Sequence, residues 1–236
     1  YELTGGIHMA ASNLLAFAHH GSTSMEEIQN FKQTTTRLMS LLSAMMLTQL
    51  EGKDTLNTEI VYDILDVQAL HVPSIRSLSK IEKKAETVTQ WIKLLIIESI
   101  NNGTLSVPAP ILSRVFQELD VSMAKFHAAE MYCQVPFPFP YVAVLDVIMA
   151  LHTIVTPFAM VGLLELEYFW PVPLVAIIVF VLWSLHLIPG ELENPYDGDK
   201  NDVDLFEVQD HLNEKLKAIL RAQPAEVPYI VVSAQV

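Results

Sequence analysis

Two stretches of the chain are apolar at every helical angle. Tyr141 to Leu164 runs YVAVLDVIMALHTIVTPFAMVGLL, with Asp146 and His152 as its ionisable positions. Val172 to Gly190 runs VPLVAIIVFVLWSLHLIPG and carries no formal charge. A hydrocarbon core about 30 Å thick takes roughly 20 helical residues, so either stretch is long enough to cross it. Neither alternates as a barrel strand would, and only helices and closed barrels satisfy their backbone in lipid. The pattern predicts an all-α, multi-pass membrane protein. A transmembrane hairpin over 141–190 follows a cytoplasmic-side helical region over 1–140 and precedes an acidic turn, helix and tail over 191–236.

Outside the hairpin the apolar positions follow shorter helical patterns. Residues 7–20 (IHMAASNLLAFAHH) are apolar on one side and too short to span. Their terminal His19-His20 reads as a solvated helix end, because adjacent helical positions diverge by about 100° and share a metal poorly. Residues 25–50 begin polar and become apolar over LMSLLSAMMLTQL, the mark of a buried helix. The segment 55–84 is polar and broken, with a turn at His71-Val72-Pro73. A helix over 85–100 stops at Asn101-Asn102-Gly103. The link from Leu105 to Pro110 is extended, since a proline disfavours helix in the residue before it. Leu112, Val115, Phe116, Leu119, Met123 and Phe126 recur at helical spacing through 111–133. Pro136, Pro138 and Pro140 alternate with Phe137 and Phe139, which predicts a rigid extended elbow ahead of the membrane. A last helix runs from about Asp204 to Ala222, opened by a capping box of Asp204 and Glu207 and carrying an apolar stripe through Leu205, Val208, Leu212, Leu216 and Ile219.

Charge orients the hairpin. All 14 lysines and arginines lie outside it, ten before Tyr141 and four after Gly190, while the loop Glu165–Pro171 holds two glutamates and an aromatic cluster. The positive-inside rule puts both flanks on the cytoplasmic side, or the stromal side in a plastid. A net charge of −13 excludes a nucleic-acid partner, which needs a basic surplus to neutralise phosphate. The lone Cys133 excludes an internal disulfide and a multi-cysteine metal site, and reads as an inert buried thiol. The chain opens on Tyr1, as the interior of a longer protein would.

Candidate chemistry is sparse. There is no His-Glu-x-x-His, Gly-x-Ser-x-Gly or phosphate-binding glycine loop, and the carboxylates are dispersed, so the chain does not read as an enzyme. Asp146 is the one carboxylate inside a span, where it reads as a packing or interfacial group or as a functional polar residue. His152 and His186 both lie about 21–23 Å from the loop end, the arrangement a bis-histidine heme would use. A heme-bearing redox protein and a non-conducting membrane scaffold are two readings of such a hairpin.

Two motifs in order narrow the field. Pro136-Phe137-Pro138-Phe139-Pro140-Tyr141 opens one span, and Asn194-Pro195-Tyr196 followed by Asp199-x-Asn201-Asp202 closes the next. Together they resemble the bestrophin family of anion channels, in particular its bacterial and algal or plastid branch. Ala109-Pro110-Ile111-Leu112 fits the same order. Tyr196 stands where the family has Phe, and Asp197-Gly198 where it has Gly and a variable residue. The family's first membrane helix and apolar pore neck would lie upstream of Tyr1.

The resemblance implies a homopentamer around a central pathway for chloride and other small anions, with bicarbonate among them in some plastid members. The membrane would be the plasma membrane or a plastid or thylakoid membrane. The family's cytoplasmic constriction falls near Leu105 or Val107, where an apolar ring hinders hydrated ions by dewetting. The resemblance also puts Asp199 and Asp202 at the positions of the calcium-binding aspartates of animal members, with Glu191 and Asn194 where those members supply backbone carbonyls. Calcium takes six to eight oxygens, whereas carboxylates before a helix also stabilise its dipole without metal.

Overall fold

The computed structural model describes residues 2–18, 21–52, 62–66, 69–135, 138–164, 169–191, 194–196, 198, 201–222 and 226–228. Among them are eight helices and no strand: α1 (Glu2–Ala18), α2 (Met25–Leu50), α3 (Val72–Leu78), α4 (Lys84–Asn101), α5 (Ala109–Gln134), α6 (Phe139–Leu164), α7 (Pro171–Glu191) and α8 (Leu205–Arg221). They divide into two compact units, Tyr1–Ala129 with Asp204–Val236, and Glu130–Val203.

The first unit is built around α2. Every residue from Leu38 to Thr48 is buried, so this half of the helix is enclosed on all sides. α1, α4 and α8 pack against it, and α8 also meets α1. A capping box starts α2: the Ser24 side chain accepts from Glu27 N, and Ser24 N donates to the Glu27 carboxylate, each at 3.3 Å. Hydroxyls enclosed with the helix fold back on the preceding turn, Thr36 Oγ1 donating to Lys32 O at 2.8 Å and Thr48 Oγ1 to Ala44 O at 2.7 Å.

A buried polar knot fastens α8 to α2. Ser40 Oγ donates to Asn213 Oδ1 at 2.6 Å, Gln209 Nε2 donates to Ser40 O at 3.1 Å, and Asn213 Nδ2 donates to Asp63 O at 2.7 Å. Leu65 N donates back to Ser40 Oγ at 3.2 Å, so the segment after residue 61 is held by the same group. Polar groups paired this way specify one docking of α8 that an apolar stripe alone leaves free to slide.

Three local expectations are corrected, and a fourth lies outside the described residues. Val72 and Pro73 open a helix, where the sequence suggested a turn; proline is tolerated in a first turn because its missing N–H has no partner there. Phe139 and Pro140 likewise belong to the first turn of α6, so the elbow is shorter than three alternating prolines suggest. Pro138 stands before that helix, while Pro136 and Phe137 lie outside the described residues. At α8 only half of the expected capping box is seen among the described contacts. Asp204 accepts from Phe206 N at 3.0 Å and Glu207 N at 3.1 Å, whereas Glu207 faces along its own helix to His211 at 3.2 Å. His19 and His20 lie outside the described residues.

α1 comes close to α5 because Gly6 has no side chain. A Cβ there would lie 2.2 Å from Ser122 Oγ and 3.0 Å from Glu118 O, and Ser122 Oγ donates to Leu3 O at 3.0 Å. Gly6→Ala is therefore expected to lower the unfolding free energy by about 1–3 kcal/mol, the usual effect of overpacking. Adding Ser122→Ala should recover part of that loss in a denaturation series.

Candidate functional site

The second unit carries the two spans. α6 and α7 pack on each other, and only 6 % of each membrane-length stretch is buried. Val147, Leu151, Phe158, Ile177, Phe180 and Leu187 are among the large apolar side chains left bare. A core hairpin of a water-soluble protein is mostly covered, and this one is not. Pro157 sits inside α6 and Pro189 inside α7, a pattern that membrane helices tolerate. Phe169 and Trp170, at the loop end, stack edge to face with centroids 5.8 Å apart, as an interfacial aromatic pair.

The face that joins the spans is not wholly apolar. Trp183 Nε1 donates to Thr153 Oγ1 at 2.9 Å, and Thr153 Oγ1 donates to Met149 O at 2.9 Å. Seven residues before Thr153, two turns along the same face, Asp146 Oδ1 meets His186 Nε2 at 2.8 Å. Trp183 lies edge-on to His186 with centroids 5.8 Å apart. One stripe of α6, Asp146 and Thr153, thus meets one stripe of α7, His186 and Trp183. An unpartnered charge at the bilayer centre costs about 2.5–3.5 kcal/mol, so pairing is what makes Asp146 tolerable in a span.

This geometry argues against the heme alternative. His186 turns its Nε2 to Asp146, while the His152 ring is bonded within its own helix to Thr156 at 3.2 Å. Thr153 faces α7, and the neighbouring His152 is turned from it by about 100°. Equal depth brought the two histidines to the same level, but helical rotation did not bring them to one site. The Asp146–His186 pair was not legible in the sequence, because counting residues gives depth along a helix but not the rotation of α6 against α7.

Below the spans, in the same unit, the Asn194-Pro195-Tyr196 turn is closed by Val203 N donating to Pro195 O at 3.1 Å. Gly198, at φ +96, donates from its N to Asp202 Oδ2 at 3.1 Å; the left-handed backbone explains a glycine at this position. Asn194 Oδ1 is buried and accepts no hydrogen bond from the described residues. Of the four residues named for calcium, Asp199 lies outside the described residues and Glu191 is described by its backbone alone. Among the described residues no three carboxylate, histidine or cysteine side chains converge as a metal site would require. Burial pushes the Tyr196 phenol up, with Cys133 and Tyr132 adding to it. Burial also raises the Cys133 thiol, with Glu130 reinforcing the effect.

The two constriction candidates separate in the first unit. Leu105 is 2 % exposed, and its N donates to Ser99 O at 2.9 Å, so its side chain belongs to the core. Val107, in the link before α5, is half-buried and has surface to offer.

A model of the bacterial/fungal bestrophin proteins matches residues 6–218, and the chain belongs to that family. Its fold is similar to that of a bacterial bestrophin homologue from Klebsiella pneumoniae carrying a point substitution (TM-score 0.72, 18 % identity, 92 % of this chain and 76 % of the other). A second substituted form of that homologue gives a TM-score of 0.75 at 16 % identity, over 92 % of this chain and 76 % of the other. A structure described as a membrane protein gives 0.75 at 18 % identity, over 93 % and 76 %. The chain is also 23 % identical over 150 residues to the voltage-dependent anion channel-forming protein sll1024 of Synechocystis, spanning 63 % of this chain and 47 % of that protein. It therefore covers about half the length of the curated relative it matches. The structural likenesses establish the all-α bestrophin fold, and family and fold together make this a membrane protein.

Trp183→Phe removes the only hydrogen bond that the indole makes to Thr153. It is expected to loosen the hairpin by about 0.6–1.7 kcal/mol, the range for interhelical hydrogen bonds in membranes, read as a fall in thermal midpoint in detergent. Leu105→Ala should cost about 2–5 kcal/mol in the same assay, as a core truncation does.

Proposed function

We propose that the protein is a subunit of a bestrophin-type anion channel, a homopentamer passing chloride and bicarbonate along a central pathway. The observation that carries this reading is the unbroken family match over residues 6–218, which takes the helical unit, the hairpin and the Asn194 turn together. The name of the Synechocystis relative, a voltage-dependent anion channel-forming protein, supports the same activity. The bare apolar hairpin supports two lipid-crossing helices with both flanks on the cytoplasmic or stromal side, in the plasma membrane or a thylakoid membrane. On α4, Leu94, Ile97 and Ile100 are exposed, a surface suited to contact between copies.

The pathway would narrow at a ring of Val107 side chains, one from each subunit. Small apolar side chains slow hydrated anions because a narrow apolar passage dewets, and widening the ring relieves that barrier. Calcium would be held at the acidic turn by Asp199 and Asp202 with backbone oxygens of Glu191 and Asn194. The described donors there, Asp202 and Asn194, are fewer than the six to eight oxygens calcium takes.

Anion flux into liposomes reconstituted with the intact protein tests the reading, chloride against bicarbonate, with and without a calcium chelator. Flux is expected for both anions, and Val107→Ala should change their permeability ratio severalfold. Unchanged ratios would remove Val107 from the pathway. Flux that stops on chelation assigns the Asp199–Asp202 turn a calcium role, and unaffected flux assigns it a structural one. A verified oligomer with no flux would favour the scaffold.

A further inference from the structure

The link between α4 and α5, which carries Val107, is tied down twice. The first tie is local. Gly103 N donates to Ile100 O at 3.2 Å, Thr104 N to Asn102 Oδ1 at 3.1 Å and Leu105 N to Ser99 O at 2.9 Å. The second tie comes from the turn between α1 and α2, 81 positions earlier. Ser22 N and Ser22 Oγ both donate to Gly103 O, at 3.0 and 3.2 Å, and Thr23 Oγ1 donates to Thr104 Oγ1 at 3.5 Å.

Each side of this clasp depends on a glycine. A Cβ on Gly21 would collide with Thr104 O and lie 3.1 Å from its carbonyl carbon. Gly103 has a left-handed φ of +83, and a Cβ there would lie 2.7 Å from Ser22 Oγ. The turn is itself anchored, because the next residue, Ser24, caps the central helix α2. Beyond the clasp Thr104 and Leu105 are buried, and α5 is started by Ile111 N and Leu112 N donating to Pro108 O at 3.0 and 3.3 Å. Ser106 and Val107 alone lie between Leu105 and Pro108, so few soft backbone torsions separate the clasp from the Val107 side chain.

We propose that Gly21, Ser22 and Thr23 are positioning residues for Val107, through which the α1–α2 turn sets the width and the anion selectivity of the narrow passage. The inference rests on the reading that Val107 lines the pathway, and it adds the residues that hold the side chain there. An apolar constriction acts by dewetting, so displacing its side chains changes which anion passes.

Chloride and bicarbonate fluxes into liposomes holding the intact protein test it. Gly21→Ala, which forces the turn off Thr104, is expected to change the permeability ratio severalfold. Combined with Val107→Ala it should add nothing, since the side chain being positioned is gone. Asn213→Ala, which breaks the α8 knot elsewhere in the same unit, should lower the thermal midpoint and leave the ratio unaltered. A ratio that shifts in Asn213→Ala as well would reduce the clasp to general stability and overturn the positioning role. Full additivity in the double variant overturns it too. If Val107→Ala shifts the ratio and folded Gly21→Ala does not, the clasp falls while the constriction stands; if Val107→Ala is silent, both fall. Should Gly21→Ala fail to assemble, Ser22→Ala with Thr23→Val removes both side-chain bonds without added bulk, and the same criteria apply to it.

Discussion

A pair of helices whose outer surfaces are almost entirely apolar cannot be left in water, and that constraint governs the unit from Glu130 to Val203. Both spans satisfy their backbone internally, keep lysine and arginine out, and hold aromatic side chains at the loop end. Inside such a hairpin the hydrophobic effect gives little reason for one helix to prefer a particular face of the other, because lipid tails are as apolar as the side chains. The preference comes from the few polar groups. Thr153 with Trp183 and Asp146 with His186 fix the rotation of α6 against α7 through hydrogen bonds that an apolar face cannot supply.

The helical unit solves the reverse problem. Water drives its apolar surfaces together, and α2, enclosed from Leu38 to Thr48, provides the shared surface for α1, α4 and α8. Burial of that kind fixes which helices meet but tolerates sliding along the helix axis. The Ser40–Gln209–Asn213 knot removes that freedom for α8, and Gly6 removes it for α1, since only one register lets the two backbones approach at Ser122. Both units therefore follow one division of labour. Bulk apolar surface decides where an element goes, and a small number of polar or side-chain-free positions decides how it sits.

Much of this was written in the chain. The apolar runs over 141–190, the buried half of α2, the helix over 111–133 and the apolar stripe of α8 follow from composition and period alone, because a helix repeats every 3.6 residues whatever surrounds it. The two motifs around Pro138 and Asn194 carried the family, and the match over residues 6–218 agrees with them. Proline was read too strictly: Pro73 and Pro140 both lie in first turns, where a missing N–H has no consequence.

What only the tertiary structure decided is which side of each element meets which neighbour. Leu105 and Val107 are indistinguishable as apolar residues in a link, yet one is in the core and the other has surface, because only the packed neighbours of α4 and α5 determine which side chain is covered. Likewise His186 could be placed at its depth by counting residues, but whether it faced His152 or Asp146 depended on the rotation of α7. Sequence determines the length, polarity and period of an element. Rotation about its axis is set by contacts between residues far apart in the chain, 40 positions in the case of Asp146 and His186.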